Sequence, residues 1–268
     1  MRSARAIFAL VRWRNALLAA AGVLLGAWWA NGAPLTTSPL LAALAAIALA
    51  AFANAFNDVC DLEIDRVAHP ARPLPRGDLR PRTALAIARS AALAGVVAAA
   101  LARPALGVLS IAVVALMHSY SRTLAARGAV GNLVVAVLAS LPFLYGAWSV
   151  GAPEAALPLL ALAVPLHFAR EVAKDLEDAH ADAPLRRTLP VLLGRRGARG
   201  VFVIALLVFV AVLARFAVAR PLFALLVLPA LALCAAATWC VVAERRGSAV
   251  LLKSAMLWAM AALVVGGA

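Results

Sequence analysis

The sequence predicts an all-α polytopic membrane protein, and two observations support that prediction. Of its 268 residues, 65% are hydrophobic and only 14% are charged, which is typical of membrane proteins and not of a soluble domain with one core. The apolar residues also fall in runs close to the 20 residues that a helix needs to cross a bilayer. We therefore expect residues 1–268 to form a single transmembrane domain.

The apolar runs predict nine spans, of which the fourth is the shortest. They are 16–33, 38–58, 83–102, 104–121, 130–150, 153–173, 199–218, 221–243 and 249–267. The first run contains Trp28 and Trp29, a pair typical of a membrane interface, and the following residues form a poor cleavage site. We interpret it as a span and not as a signal peptide. The last three runs are rich in Ala, Leu and Val and are interpreted as scaffold.

The basic residues indicate orientation in the membrane. The net charge is +13, and Lys and Arg concentrate before span one and after spans two, four, six and eight. The alternate loops hold almost none, so the positive-inside rule places the N-terminus in the cytoplasm and the C-terminus outside. We expect an integral protein of a bacterial or archaeal-type cell membrane, surrounded by lipids and without a nucleic-acid partner.

An acidic stretch follows span two. Residues 54–65 read Asn-Ala-Phe-Asn-Asp-Val-Cys-Asp-Leu-Glu-Ile-Asp, directly after an uncharged apolar run. If the stretch is helical, its polar residues share one face about 16 Å long at 1.5 Å per residue. These residues are Asn54, Asn57, Asp58, Asp61 and Asp65. Carboxylates at a membrane boundary are costly, so this face indicates a site for cations on the cytoplasmic side.

A second stretch repeats the arrangement 117 residues later. The matching positions hold Glu171, Lys174, Asp175, Asp178 and Asp182. Of the 12 acidic residues in the chain, nine lie in 58–65 and 171–182, a concentration that solvation does not explain. Such oxygen ligands favour Mg²⁺ or Mn²⁺ over zinc. The alternative is a helix end with ordinary ion pairs such as Lys174–Asp178, which leaves the shared spacing unexplained.

Arginines follow both acidic stretches. Arg66 and Arg72 lie in a loop whose three prolines prevent a regular helix, and a second basic loop contains Arg187. Because Arg binds phosphate in a bidentate way, its presence beside a metal site favours a phosphate ligand, with an ordinary positive-inside loop as the alternative. After span four, Tyr120 and Arg122 are placed to reach a phosphate or substrate, although Tyr120 also suits an interfacial anchor.

The motifs resemble those of the UbiA superfamily of intramembrane prenyltransferases. Its first aspartate-rich motif is similar to Asn57-Asp58-x-x-Asp61-x-x-x-Asp65, followed here by Arg66, Pro70, Arg72-Pro73 and Gly77. Its second motif, in the version of digeranylgeranylglyceryl phosphate synthase-like members, is similar to Arg170-Glu171-x-x-Lys174-Asp175-x-x-Asp178-x-x-x-Asp182 with Thr188-Leu189-Pro190. Its middle segment is similar to Tyr120-Ser121 and Gly131-Asn132. The chain departs from the family pattern at Ala125, Ala179 and Ala181.

The resemblance implies nine transmembrane helices around a central cavity and a Mg²⁺-dependent enzyme. The expected reaction is ionisation of a polyprenyl diphosphate, with geranylgeranyl diphosphate favoured, and transfer of the prenyl group to a hydrophobic, lipid-soluble acceptor. A geranylgeranylglyceryl phosphate-type acceptor is favoured, and an aromatic acid or quinone precursor such as 4-hydroxybenzoate is the alternative. A divalent-cation transporter is the alternative from another class, although arginines around the acids would repel a permeating cation.

Each candidate residue has an expected role in this chemistry. The catalytic residues are Asp61, Asp65, Asp175 and Asp178. The metal ligands are Asn57, Asp58, Asp61, Asp65, Asp175, Asp178 and Asp182, with the choice between Asp178 and Asp182 left open. The substrate-binding residues are Asn54, Arg66, Arg72, Tyr120, Arg122, Lys174, Arg187 and Tyr145. Tyr145, or Phe143 in its place, is expected to stabilise an allylic cation through its ring.

Overall fold

The computed structural model describes residues 2–32, 34–124, 127–182 and 187–266. Within these ranges the chain forms α-helices joined by turns, a π-helical turn at Tyr120–Leu124 and a 3₁₀ turn at Pro153–Ala156, and no β-strand. The helices are α1 (Arg2–Leu10), α2 (Trp13–Asn31), α3 (Thr37–Cys60), α4 (Leu62–Ala68), α5 (Pro81–Ala102), α6 (Pro104–Ser119), α7 (Ala129–Ser149), α8 (Leu157–Asp182), α9 (Leu189–Ala217), α10 (Pro221–Leu226), α11 (Leu228–Val242) and α12 (Ser248–Gly266).

The described helices confirm a polytopic membrane protein. Eight spans in the described ranges are long and apolar enough to cross a membrane, and a ninth is counted when α1 and α2, which are bent by 52°, are taken together. Large apolar side chains also face outward, as lipid contact requires: Leu93, Leu101 and Leu207 are 67%, 69% and 62% exposed. The predicted count of nine therefore agrees with the larger figure.

Some helix boundaries differ from the predicted spans. Helix α9 begins at Leu189, before the predicted residue 199, and contains a break at Gly194, whose φ of 68° is left-handed. The predicted span 221–243 is interrupted at Val227, between α10 and α11. Helix α8 continues to Asp182, well beyond the predicted end of its span. This extension keeps the second acidic motif helical.

The chain divides into two compact units. The first unit comprises Met1–Ala125 and Pro142–Ala156, and the second comprises Ala126–Leu141 and Leu157–Ala268. In the first unit, α3 packs against α2 and α5, and α5 packs against α6. In the second, α8 packs against α9 and α12, and α11 packs against α12. Each acidic motif therefore belongs to a different unit.

A buried cluster in the first unit orders the segment that follows motif one. Its members come from α1, α3, α5 and the proline-containing loop between α4 and α5; they are Ala6, Leu10, Phe52, Ala55, Phe56, Leu74, Leu79, Ala84 and Ala88. Turn hydrogen bonds within the loop include Arg76 N–H to the carbonyl of Arg72 at 3.0 Å. The loop is thus ordered, as its prolines predict, and buried leucines fix its position.

Close backbone contact in the first unit positions Tyr145. A Cβ atom added to Gly146 would collide with the carbonyl oxygen of Val23 in α2, and one added to Gly26 would collide with that of Phe143. Only glycine permits this approach between α2 and the end of α7. The adjacent Tyr145 is buried, and its hydroxyl lies 2.8 Å from the Ser110 hydroxyl.

Candidate functional site

The first acidic motif is a nearly continuous helix. Helix α3 ends at Cys60 and α4 begins at Leu62, with Asp61 between them at φ −90° and ψ 7°. Asp61 N–H donates to the carbonyl of Asn57 at 2.8 Å, and Asp65 N–H donates to that of Asp61 at 2.8 Å. Because the i to i−4 pattern continues through the break, Asn57, Asp61 and Asp65 remain on one face.

Three aspartates of this motif are buried. Asp58, Asp61 and Asp65 are 3%, 7% and 3% exposed. A buried carboxylate is tolerated only when cations or hydrogen-bond donors compensate for its lost hydration. The partners of these three residues therefore define the chemistry of the motif.

Two arginines from outside the helix compensate Asp58 and Asp65. Arg12 Nη2 lies 2.6 Å from Asp58 Oδ1, and Arg72 Nη1 lies 2.6 Å from Asp65 Oδ2. Arg72 Nη1 is also 3.6 Å from Asp58 Oδ1. The result is an alternating chain of charges, Arg12–Asp58–Arg72–Asp65. The loop position predicted for Arg72 is thus confirmed as close to the acids.

Arg12 is the residue that sequence reasoning missed, because it assigned Arg12 only to the positive charge before span one. Its backbone is left-handed, with φ 49°, between α1 and α2. Its Nη1 donates to Asn54 Oδ1 at 2.9 Å, and Asn54 Nδ2 donates to the carbonyl of Val11 at 3.1 Å. Asn54, predicted to bind substrate, therefore holds Arg12 and the bend between the helices.

Asp61 is oriented by a hydrogen-bond chain that begins in the π-helical turn. Ser121 Oγ donates to Asn57 Oδ1 at 3.4 Å, and Asn57 Nδ2 donates to Asp61 Oδ2 at 2.8 Å. The neighbours of Ser121 are the two residues predicted from this segment: Tyr120 is half-buried and Arg122 is exposed. The turn after span four thus reaches motif one through Ser121.

Arg66 lies in α4 and not in the predicted loop, and its environment differs from that of Arg72. Its Nη1 lies 2.8 Å from the carboxylate of Glu63, and the two side chains are 57% and 77% exposed. The pair is an exposed i,i+3 contact. The predicted role of Arg66 in substrate binding stays a prediction.

In the second motif, the positively charged side chains of Arg170 and Lys174 pair with an acid of the same helix. Glu171 is 8% exposed; its Oε1 lies 2.6 Å from Arg170 Nη1, and its Oε2 lies 2.9 Å from Lys174 Nζ. Lys174 thus pairs with Glu171 and not with Asp178 among the described ion pairs. Sequence reasoning placed Glu171 in the motif but gave it no role.

Asp175 is held by an amide from another helix. Asn132, near the start of α7, donates from Nδ2 to Asp175 Oδ2 at 2.8 Å. Asp178 is half-buried, and the side chain of Asp182 lies outside the described part of the chain. Arg187 is exposed, and its backbone forms an isolated bridge with Arg127.

Among the described residues, no group of three or more His, Cys, Asp or Glu side chains is arranged to hold a metal ion. The candidate metal ligands of both motifs are nevertheless carboxylate oxygens, with the amide oxygen of Asn57 added in motif one, and Mg²⁺ and Mn²⁺ prefer such oxygen ligands. The donor chemistry therefore fits a hard divalent cation. In motif one, Asp58 and Asp65 are paired with arginines.

These features define a class of protein: an all-α integral membrane protein that carries buried carboxylates, with arginine and amide partners, at the ends of long apolar helices. The model of the UbiA prenyltransferase family matches residues 19–263, and the chain belongs to that family. It is therefore a membrane-embedded prenyltransferase. The family membership decides between the enzyme and the cation transporter in favour of the enzyme.

Curated relatives cover most of the chain. A protein of Natronomonas pharaonis named digeranylgeranylglyceryl phosphate synthase is 35% identical over 274 residues, which cover 99% of this chain and 98% of the relative. A protein of the same name from Halobacterium salinarum is 42% identical over 207 residues, covering 75% of this chain and 74% of the relative. The similarity therefore includes both acidic motifs in the first case.

Solved structures confirm the fold. One, described as giving insights into digeranylgeranylglyceryl phosphate synthase in membranes, has a TM-score of 0.76 at 20% identity and covers 100% of this chain and 99% of its own. Another, a UbiA homolog from Archaeoglobus fulgidus bound to GPP and Mg²⁺, has a TM-score of 0.73 at 16% identity and covers 97% and 100%. The predicted UbiA-like fold is confirmed.

Proposed function

We propose that this prenyltransferase transfers the geranylgeranyl group of geranylgeranyl diphosphate to geranylgeranylglyceryl phosphate. The supporting observation is the similarity at 35% identity, over nearly the whole of both chains, to a relative named digeranylgeranylglyceryl phosphate synthase. The resemblance of motif two to the same branch agrees with it. An aromatic acceptor such as 4-hydroxybenzoate is the alternative that the test below separates.

In this proposal, each acidic motif provides ligands for divalent cations. The ligands would be Asn57, Asp58, Asp61 and Asp65 in motif one, and Asp175, Asp178 and Asp182 in motif two. Bound Mg²⁺, with Mn²⁺ as a substitute, supplies charge neutralisation for the diphosphate oxygens. The solved UbiA homolog with GPP and Mg²⁺ supports the choice of cation.

The arginines bind phosphate oxygens. In the described contacts Arg72 uses only Nη1, so its other N–H groups are available for a diphosphate. A guanidinium has five donors in a fixed planar arrangement, and Arg72 can therefore stay bound to Asp65 while it donates to the substrate. Lys174 and Arg187 are proposed to add positive charge in motif two, and Arg66 and Arg122 in motif one.

The bond changes then follow. The bond between C1 of the prenyl chain and the diphosphate oxygen breaks, and both electrons leave with the diphosphate. A lone pair of the acceptor hydroxyl forms the new ether bond to C1, and the hydroxyl proton is released. The rings of Tyr145 and Tyr120 are proposed to face the allylic cation or the substrate chain, and apolar surroundings protect the cation from water.

The acidic motifs are proposed to face the cytoplasm, with the N-terminus on the same side and the C-terminus outside. The distribution of Lys and Arg between alternate loops supports this orientation. Accessibility of single cysteines introduced near residues 78 and 152 to a membrane-impermeant thiol reagent tests it. We expect the cysteine near residue 78 to be labelled in inverted vesicles and not in right-side-out vesicles. Labelling of this cysteine in right-side-out vesicles would contradict the proposed orientation.

The function is tested with the purified protein and geranylgeranyl diphosphate, in Mg²⁺ or EDTA. Geranylgeranylglyceryl phosphate and 4-hydroxybenzoate are supplied in parallel as acceptors, and the Asp61→Asn variant is the control for contaminating activity. We expect a Mg²⁺-dependent ether product only from the glyceryl phosphate. A product only from 4-hydroxybenzoate would overturn the proposed acceptor, and full activity in EDTA would overturn the proposed cation.

A further inference from the structure

Glu177 lies in α8 between two proposed ligands, yet its carboxylate binds another helix. Its Oε1 accepts hydrogen bonds from the backbone N–H groups of Gly247 at 3.2 Å and Ala249 at 3.1 Å. The Ser248 hydroxyl donates to the same oxygen. Because these donors are Gly247, directly before α12, and the first two residues of α12, Glu177 acts as a cap for that helix, where a negative charge is favourable.

The turn before α12 is also bound by arginines of α9. Glu244 has a left-handed φ of 55°, and its carboxylate pairs with Arg199 and with Arg195 Nη2, the latter at 3.5 Å. Arg195 Nη1 also donates to the carbonyl of Leu176 in α8, at 3.5 Å. The turn between α11 and α12 is therefore anchored on both α8 and α9.

These contacts fix the rotation of α8 at motif two. At 3.6 residues per turn, Glu177 lies about 160° around the helix from Asp175 and about 100° from Asp178. Asn132 binds Asp175 on one side of the helix, and Glu177 binds the start of α12 on the other. The two contacts together hold α8 against rotation about its axis.

We propose that Glu177 is a positioning residue for Asp175 and Asp178. It keeps their carboxylates at fixed angles by tying α8 to the N-terminus of α12. This inference rests on the proposed cation-binding role of motif two. Residues that orient metal ligands through a neighbouring contact commonly change metal affinity by 10- to 100-fold when they are replaced, so Glu177 should influence cation binding without contacting the cation.

The test compares Glu177→Ala and Glu177→Gln with a control, Glu154→Ala, which removes an exposed acid from the 3₁₀ turn of the first unit. Mn²⁺ binding is measured by calorimetry on the purified protein without substrates, and hydrogen–deuterium exchange is measured over residues 174–179. For Glu177→Ala we expect the Mn²⁺ dissociation constant to rise about 10-fold and exchange in the segment to accelerate. We also expect kcat to fall, with the KM for the acceptor unchanged.

The Gln variant should lie between the wild type and Glu177→Ala. Its amide oxygen still accepts the two backbone N–H groups, but the negative charge at the N-terminus of α12 is lost. If Glu177→Ala does not fold, Ser248→Ala removes only the hydroxyl donor and should give a smaller change in the same direction. Wild-type Mn²⁺ affinity and exchange in all folded variants would overturn the proposal.

An Asp175→Asn reference separates this inference from the proposed function. If Asp175→Asn loses Mn²⁺ affinity while Glu177→Ala keeps it, only the positioning role is wrong. If Asp175→Asn keeps wild-type affinity, the cation assignment of motif two is wrong, and the positioning role is overturned with it.

Discussion

The two acidic motifs share one spacing but differ in the origin of their partners. In motif one, Asp58 pairs with Arg12, 46 residues away in the sequence, and with Arg72 from the following loop. In motif two, Arg170 and Lys174 of α8 pair with Glu171 of the same helix. Asp175, which corresponds to Asp58, instead receives a hydrogen bond from the Asn132 amide.

The equivalent positions Asn54 and Glu171 explain much of this difference. Both accept a hydrogen bond from an arginine: Asn54 from Arg12 and Glu171 from Arg170. Asn54 is neutral, so the positive charge of Arg12 is compensated by Asp58. Glu171 is negatively charged and forms ion pairs with Arg170 and Lys174 of its own helix. A repeated sequence pattern therefore gives two electrostatic environments, and among the described contacts those between arginines and proposed ligands lie in motif one.

The largest effect is expected when one carboxylate of each motif is neutralised. Asp61→Asn and Asp175→Asn should each lower kcat at least about 100-fold, because loss of a proposed charged metal ligand would remove several kcal/mol of stabilisation from the departing diphosphate. Transfer is measured with purified, detergent-solubilised protein, and folding is checked by size-exclusion chromatography and thermal unfolding. A defect in only one of the two variants would mean that the motifs do not serve the same step.

Replacement of Arg72 tests whether the arginines of motif one reach the substrate. Arg72→Ala should raise the KM for the prenyl diphosphate about 10-fold, since a charge-assisted bidentate contact contributes roughly 1.5–3 kcal/mol. The KM for the acceptor should change less. Arg72→Lys is the matched control, because it keeps the charge but lacks the planar fork, and it should give an intermediate value. A larger effect on the acceptor would assign Arg72 to the other substrate.

The sequence predicts the fold and the acidic faces but not the partners that hold them. Apolar runs and the positions of Asn57, Asp61 and Asp65 follow from local composition and helical periodicity. The contacts of Arg12 with Asp58 and of Asn132 with Asp175 join residues 46 and 43 positions apart, and no local pattern indicates such pairs. The sequence also does not indicate the left-handed backbone of Arg12, because Gly or Asn usually adopts that conformation.

Arg12 offers a test of the environment that distinguishes motif one. Arg12→Ala leaves buried Asp58 with the longer contact to Arg72, at 3.6 Å, in place of the 2.6 Å contact to Arg12. The melting temperature should therefore fall, and kcat/KM for the prenyl diphosphate should drop about threefold to tenfold. Arg14→Ala is the matched control, because Arg14 stacks on Trp13 and has no described contact with the aspartates. Equal losses of stability and activity in both variants would contradict a specific role for Arg12.

The coupling between Arg12 and Asp58 is measured by a double-mutant cycle. Asp58→Asn in the Arg12→Ala background removes the charge that Arg12 compensates, so the double variant should be more stable than the sum of the single changes predicts. The difference is obtained from the melting temperatures of the four proteins. Strict additivity would show that the 2.6 Å contact contributes no interaction energy.

The smallest effect is expected at the exposed Arg66–Glu63 pair, which has no counterpart in the buried network of motif one. Exposed ion pairs contribute about 0.2–1 kcal/mol, so neither Arg66→Ala nor Glu63→Ala should change the melting temperature appreciably. If Arg66 binds phosphate, the two variants should change the KM for the prenyl diphosphate in opposite directions. Arg66→Ala should raise this KM about twofold. Glu63→Ala should lower it slightly, because loss of Glu63 releases the guanidinium of Arg66. Unchanged KM values in both variants would remove Arg66 from the proposed substrate-binding set and leave Arg72, in the loop after α4, as the proposed contact to the diphosphate.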